Sequence, residues 1–393
     1  MAASCKPGYL FVLPWPFQSP GGVNQVVLNL YRECERAGRY EPLILIIDWS
    51  SPRPQPKFVD GFRCIHLRIP VLATAGLSWR VSMALLARVP VTLWRLRRIL
   101  SRHHVCAVNP HYPTLSVLNF VLMKKLGLLR GARLLLSFHG LDIRNAAKGS
   151  RLDKAIWRWM IGNADTLVSC SDALAADVLA FAPASGERMC TVRNGVDVER
   201  IHATADYPLG HAMGTPRRYI LNIGTFEHKK GHDILLEAFT GIAHEFPDVH
   251  LVILGRDGPT RAPLELAIRE RSLDGRVICR VDVPHAETLR WLRDATLFAL
   301  PSRAEGLPIV ILEAGALGIP VVASRVDGIP EVIDSELRGW LVAPEDEKSL
   351  QLALRTLISD EKLRQQLGQQ LYEHVAANFS WLWAWEQYSV TLR

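Results

Sequence analysis

Two doubly wound α/β domains are the architecture this sequence predicts, and three observations carry the prediction. Near-continuous Val/Ile/Leu runs alternate with helical patterns from one end to the other, which is how parallel strands buried on both faces read. The runs form two sets, parted by a stretch at 201–218 that lacks apolar periodicity and contains Pro208, Gly210, Gly214 and Pro216. A chain of 393 residues is also too long for one ordinary core and suits two domains of similar size. The expected bounds are 1–205 and 216–376, with 377–393 as a terminal helix.

In the first domain the strand-like runs are 9–13, 43–47, 63–67, 105–108, 133–137 and 166–169; in the second they are 219–223, 250–254, 277–280, 297–300 and 321–323. Residues 77–104 mix Trp79, Leu86 and Trp94 with Arg80, Arg88, Arg95 and Arg98. A basic amphipathic helix of this kind can lie in an anionic membrane surface, and it can equally pack its apolar side on its own sheet. Pro90 is expected to kink or split it. At the chain end Trp381, Trp383 and Trp385 alternate before Tyr388. The helical context predicts a terminal helix that the tryptophans anchor on the body of the protein.

Composition narrows the class. With 49% hydrophobic and 22% charged residues the chain is globular, not disordered. Every apolar stretch is broken by Arg or Lys before it reaches the length of a membrane span, and Pro14 and Pro16 interrupt the only candidate signal-peptide core. The seven cysteines form no Cys-x-x-Cys pair, which predicts reduced thiols in the cytosol and no zinc site. Residues 1–205 hold 26 Lys/Arg against 13 Asp/Glu. That basic half is either a soluble surface or the face for an anionic partner. No motif or aromatic–basic interleaving points to nucleic acid.

Three segments of the second half read as one anion site. Gly224-Thr225-Phe-Glu-His-Lys229-Lys230-Gly231 follows a strand and opens a helix: Gly224 allows a close turn, the lysines supply cations, and the helix N-terminus adds its dipole. It is not a Walker loop, because the second glycine follows the lysines. Gly255 closes the next strand, and the third segment runs from Glu305 to Glu313. All three follow strands of one parallel sheet, so they should converge at its carboxyl edge. Were both glutamates helical, they would lie about 12 Å apart, beyond the roughly 5 to 9.5 Å that a hydrolytic carboxylate pair uses. A division of labour fits better: Glu305 faces a substrate from the loop, and Glu313 accepts hydrogen bonds from a ribose. Backbone amides of Gly306, Leu307, Ile309 and Val310 would meet phosphate, with Pro308 unable to contribute one.

The run Pro301-Ser-x-x-Glu305-Gly-x-Pro-x-Val-x-x-Glu313-Ala, the glycine–lysine turn and Gly328-Ile-Pro-Glu331 resemble the retaining glycosyltransferases of family 4. Gly21-Gly22, His139-Gly140 and Val192 to Asp197 extend the likeness over nearly the whole chain. The resemblance implies the GT-B fold: an acceptor-side and a donor-side Rossmann-like domain facing a central cleft, with the terminal helix packing back on the first. It implies that Lys230 neutralises the donor diphosphate, Glu313 holds the ribose, and Glu305 contacts the donor sugar at the reacting face. Gly22 would let its loop approach donor and acceptor. His139 would touch the transferred sugar, Asn194 and Gly195 would shape a turn, and the surroundings of Gly255 and 281–284 would line the base pocket.

One departure stands out. The family commonly carries Arg after the glycine of the lysine turn, where this chain has Thr225; Lys229 or an arginine from elsewhere is the candidate replacement. Asn24 also stands where an acidic residue is frequent. The chain has no Asp-x-Asp motif, in keeping with metal-free transfer in which lysine and helix amides serve in place of a divalent ion. The implied partners are a nucleotide sugar and a glycan or lipid-linked acceptor, as in bacterial surface polysaccharide or lipopolysaccharide assembly, in the cytoplasm at the inner membrane face. No cofactor and no metal are expected. Two alternatives remain open: a nucleotide-sugar epimerase of the same architecture, and a non-catalytic sugar-nucleotide-binding protein.

Overall fold

A computed structural model describes residues 6–16, 21–70, 79–206 and 216–392. The chain divides into two compact units, one of residues 1–193 with 381–393 and one of 194–380. The first unit contains β1 (Gly8–Leu13), α1 (Gly22–Ala37), β2 (Glu41–Ile47), β3 (Gln55–Val59), β4 (Phe62–Leu67), α2 (Trp79–Arg102), β5 (Val105–Pro110) and α3 (Leu118–Lys125). It continues with β6 (Arg133–Phe138), α4 (Leu141–Lys148), α5 (Arg151–Asn163), β7 (Thr166–Ser169), α6 (Asp172–Phe181) and β8 (Met189–Thr191). The strands form one sheet in the order β3-β4-β2-β1-β5-β6-β7-β8. Every pairing is parallel except β3 with β4, which is antiparallel. Strand order reverses at β1, which lies between β2 and β5. In such sheets the switch point opens a crevice at the strands' carboxyl ends.

The second unit contains α7 (Val198–Ala205), β9 (Arg218–Ile223), α8 (His232–Thr240), β10 (Val249–Gly255), α9 (Arg261–Glu270), β11 (Val277–Val281), α10 (His285–Arg293), β12 (Leu297–Leu300) and α11 (Ile309–Ala316). It ends with β13 (Val321–Ser324), β14 (Trp340–Val342), α12 (Glu347–Ser359) and α13 (Glu361–Asn378). Its sheet runs β11-β10-β9-β12-β13-β14, all parallel, with its switch point between β9 and β12. Ile220, Leu251 and Leu297 from the strands pack with Leu235 and Phe239 of α8 and Leu350 and Leu354 of α12 in one core. The helices α12 and α13 start at side-chain caps: Asp346 accepts from the Ser349 amide, and Asp360 from that of Leu363.

Every strand expected from the sequence is present, and three more appear. The division between units falls after Arg193, ahead of the expected 201–218, because α7 packs on α10 and α11 of the second unit. Most of the glycine-rich stretch, 207–215, lies outside the described residues. Pro90 neither ends nor splits α2, which runs continuously from Trp79 to Arg102. The terminal segment is a helix, α14 (Trp381–Val390), and it belongs to the first unit. Trp381 and Trp385 are buried while Trp383 is 40% exposed, so two of the three tryptophans anchor it. The Trp385 ring lies 5.1 Å from that of Tyr9 and 6.3 Å from that of Phe11.

Candidate active site

At the second unit's switch point, glycines bring three loops together. A Cβ on Gly255 would sit 1.9 Å from the Gly224 carbonyl oxygen, so the loops after β9 and β10 can abut only without side chains there. Gly231 takes φ +67° and has the Pro301 carbonyl oxygen 2.0 Å from where its Cβ would be, which joins the β9 loop to the β12 loop. The space that a Gly224 side chain would need holds the Lys230 methylenes, at 3.0 to 3.4 Å.

This packing aims Lys230 across the switch point. Its Nζ lies 2.6 Å from Glu305 Oε1, with side chains only 15% and 10% exposed. Ser302 Oγ donates to the same oxygen at 2.7 Å, and the Glu305 amide donates to Asp327 Oδ2 at 2.6 Å. The Gly328 amide donates to the Gly306 carbonyl at 3.0 Å, and Asn194 Nδ2 to that of Leu307 at 2.9 Å. The glutamate loop is thus fastened at both ends, and Asn194 is one of its fasteners. Ile309 and Val310 form the first turn of α11, where backbone amides have no partner within the helix.

Glu313 lies further along α11, 10% exposed, its Oε1 2.6 Å from His285 Nε2. His285 begins α10 and was not among the expected site residues, although it directly follows the 281–284 stretch. The cation offered as a substitute for the missing arginine is engaged elsewhere: Lys229 Nζ pairs with Glu227 Oε2 at 3.0 Å, with Arg256 3.8 Å from the other oxygen. Thr225 contributes its carbonyl to the Glu227 amide at 2.6 Å. Arg303 cross-braces the turn, donating to the His228 carbonyl and to both Asp233 oxygens while its own amide bonds the Lys229 carbonyl.

In the first unit His139 follows β6. Its amide donates to Asp142 Oδ2 at 2.8 Å, and the Gly140 amide to Oδ1 at 3.1 Å. Gly140 takes φ +135°, which its lack of Cβ permits. Burial pushes the Asp142 carboxyl up to about 6, and the amides that donate to it oppose the shift. The His139 ring stacks on that of His111 at 5.2 Å, and burial pushes its pKa down to about 3. It is therefore a neutral imidazole at physiological pH. A Cβ on Gly22 would meet no atom of the described residues within 4 Å. Asn24 is buried and accepts from Trp15 Nε1 at 2.9 Å. The structure thus joins Lys230 to Glu305, Gly224 and Gly255, and holds His139 and Gly22 in the other unit.

Two doubly wound units, one with a lysine turn and a glutamate loop at its switch point, define the GT-B class. The same fold is seen in Anabaena Alr3699/HepE in complex with UDP and glucose, at a TM-score of 0.76 and 16% identity, covering 98% of this chain and 99% of that one. The model for Glycosyltransferase Family 4 matches residues 20–200, and that for Glycosyl transferases group 1 matches 210–374. The chain is 30% identical to D-inositol 3-phosphate glycosyltransferase 1 of Catenulispora acidiphila, over 94% of its own length and 91% of the relative's. It is 28% identical to glycogen synthase of Mycobacterium tuberculosis, over 59% of its own length; there the match spans only 55% of the relative. The chain belongs to the family 4 glycosyltransferases.

Proposed function

We propose that this protein is a retaining, metal-independent glycosyltransferase that moves a hexose from a nucleotide-diphosphate sugar to a hydroxyl of a glycan or lipid-linked acceptor. The observation that carries the reading is the Lys230–Glu305 pair at the switch point, beside the first turn of α11. Lys230 and the α11 amides neutralise the diphosphate as the bond from its oxygen to the anomeric carbon breaks. The acceptor oxygen bonds to that carbon on the same face, and its proton passes to the departing phosphate oxygen. Glu305 uses Oε1 to hold Lys230 and turns Oε2 to the donor sugar. Glu313, steadied by His285, accepts from the ribose hydroxyls, and His139 contacts the transferred sugar.

The test is transfer from a panel of nucleotide sugars with chelator present. Full activity is expected; loss of activity that added divalent metal restores would remove the metal-free mechanism. Glu305→Ala should lower kcat roughly a hundredfold or more, the scale of losing one preorganised electrostatic group, while donor affinity changes far less. Wild-type turnover in that variant would exclude the role given to Glu305.

The acceptor side suits an anionic lipid surface at the cytoplasmic membrane face, and with it surface polysaccharide assembly. Among the described residues no helix is long and apolar enough to cross a membrane. A cavity of about 780 Å³ between α2 and the β3–β4 hairpin is lined by Arg53, Lys57, Arg95 and Arg98 with Phe58 and Trp94, and the two aromatic side chains are exposed. Such a mixture of cations and aromatic rings matches lipid phosphate above acyl chains. Flotation with phosphatidylglycerol liposomes should retain the protein at low salt and release it at high salt; absence of binding at low salt removes the membrane partner.

A further inference from the structure

A chain of buried hydrogen bonds in the first unit ends on His139, and its polarity decides which nitrogen of that imidazole carries the proton. Tyr388 of α14 donates to Ser137 Oγ at 3.1 Å, across 251 positions of sequence, and Ser137 donates to Asn109 Oδ1 at 2.8 Å. With its carbonyl so engaged, the Asn109 amide nitrogen faces the Tyr9 hydroxyl at 3.0 Å and His111 Nε2 at 3.1 Å. An amide nitrogen only donates, so His111 Nε2 is the bare nitrogen. His111 is fully buried, and burial together with the neighbouring His139 holds its pKa well below the ordinary value. A neutral imidazole with a bare Nε2 carries its hydrogen on Nδ1, which lies 3.0 Å from His139 Nε2. His139 Nε2 therefore accepts, and the proton of His139 sits on Nδ1, an atom with no hydrogen-bond partner among the described residues.

The opposite polarity would turn the Asn109 amide over. Its oxygen would then accept from Tyr9 and His111, and its nitrogen would donate to Ser137. Among the described residues that arrangement leaves two buried donors without acceptors, the second Asn109 N–H and one of the Ser137 and Tyr388 hydroxyls. The first arrangement leaves one, the Tyr9 hydroxyl. Each unmet buried donor carries its full desolvation cost, which favours the first arrangement.

We propose that His111 is a positioning residue, and that the chain from Tyr388 through Ser137, Asn109 and His111 locks His139 as an Nδ1–H donor to a substrate oxygen instead of a general base. The tautomer follows from the first unit alone; its use on a sugar oxygen rests on the transferase reading. The C-terminal helix thereby helps set the chemistry of a histidine that is remote from it in sequence.

The experiment is long-range proton–nitrogen NMR of the full chain with ¹⁵N-labelled histidine, the signals being assigned with His111→Gln and His139→Gln. His139 and His111 should both show a protonated Nδ1 and a bare Nε2. An Nε2–H form, an averaged pair or an imidazolium at His139 overturns the proposal. Transfer kinetics give the second arm. His111→Phe removes the donor to Nε2 and should lower kcat about tenfold or more, the scale on which partners that orient a functional histidine act, with little change in KM for the donor. His111→Gln, whose amide can donate to Nε2, should recover most of that loss. Wild-type kcat in His111→Phe, or no recovery in His111→Gln, counts against the role. Because the NMR arm needs no substrate, the expected tautomer in a protein that transfers no sugar would remove the transferase reading and leave the chain standing.

Discussion

Lys230 and Glu305 are 75 positions apart in sequence, yet their charged atoms meet at 2.6 Å with little exposure. A nearly buried ion pair costs desolvation that the Coulomb attraction only partly returns. Holding it with Ser302 and the lysine turn makes sense where an anion must find its cation already in place. Beside it, His232 is 2% exposed, and neither ring nitrogen has a hydrogen-bond partner among the described residues. Burial, with Lys230 adding to it, pushes its pKa down to about 4. The unfolded chain takes up a proton below about pH 6.5 that the folded chain refuses until about pH 4, so stability falls as pH drops through that window. His232→Leu should remove one proton's worth of that dependence, about 1.4 kcal/mol per pH unit. Urea midpoints between pH 4.5 and 7 would show it, and an unchanged slope would contradict the assignment.

Among the elements, the loops after β9, β10 and β12 owe their convergence to glycines. Gly255→Ala would drive a methyl into the Gly224 carbonyl and should cost about 1–3 kcal/mol, as overpacking usually does. It should also weaken nucleotide binding by parting the two loops. Gly22→Ala is the control, since among the described residues no atom lies within 4 Å of where its Cβ would sit; its effect on stability should stay within about 0.5 kcal/mol. Equal melting temperatures for the two variants would show that the β9 and β10 loops yield where close packing says they cannot. The edge strand β3 and the short strands β8 and β14 were not expected from the sequence. Four of the five β3 residues are exposed, and the other two strands have three residues each. β3 and β8 lack the apolar run by which strands buried on both faces are recognised; Trp340-Leu341-Val342 of β14 is apolar, but only Val342 is buried.

At the level of the molecule, each unit has its own sheet and its own switch point, and the proposed diphosphate site belongs wholly to the second. Hydrogen exchange with and without UDP should therefore slow at 224–231 and 302–313, while the β3–β4 hairpin and α2 of the first unit exchange as before. Ligand held at a hundred times its Kd adds about 2.7 kcal/mol to the state that binds it, enough for slowing of up to about a hundredfold in segments that exchange through global unfolding. Protection confined to the first unit would relocate the site.

How much of this was legible depends on the range of each interaction. Two sets of buried parallel strands, the glycine–lysine turn and the paired glutamates are local patterns, and chain order with side-chain chemistry dictates them. Loops that follow strands of one parallel sheet must gather at its carboxyl edge, so the convergence of Gly224, Lys230, Gly255 and Glu305 was also readable. Which atoms meet there was not. His285 on Glu313, Glu227 on Lys229, and the run from Tyr388 to His139 depend on which strands become neighbours and which loops are pressed together. A hydrogen bond is decided within a few tenths of an ångström, and only the packed sheets and the docking of α14 set distances that finely.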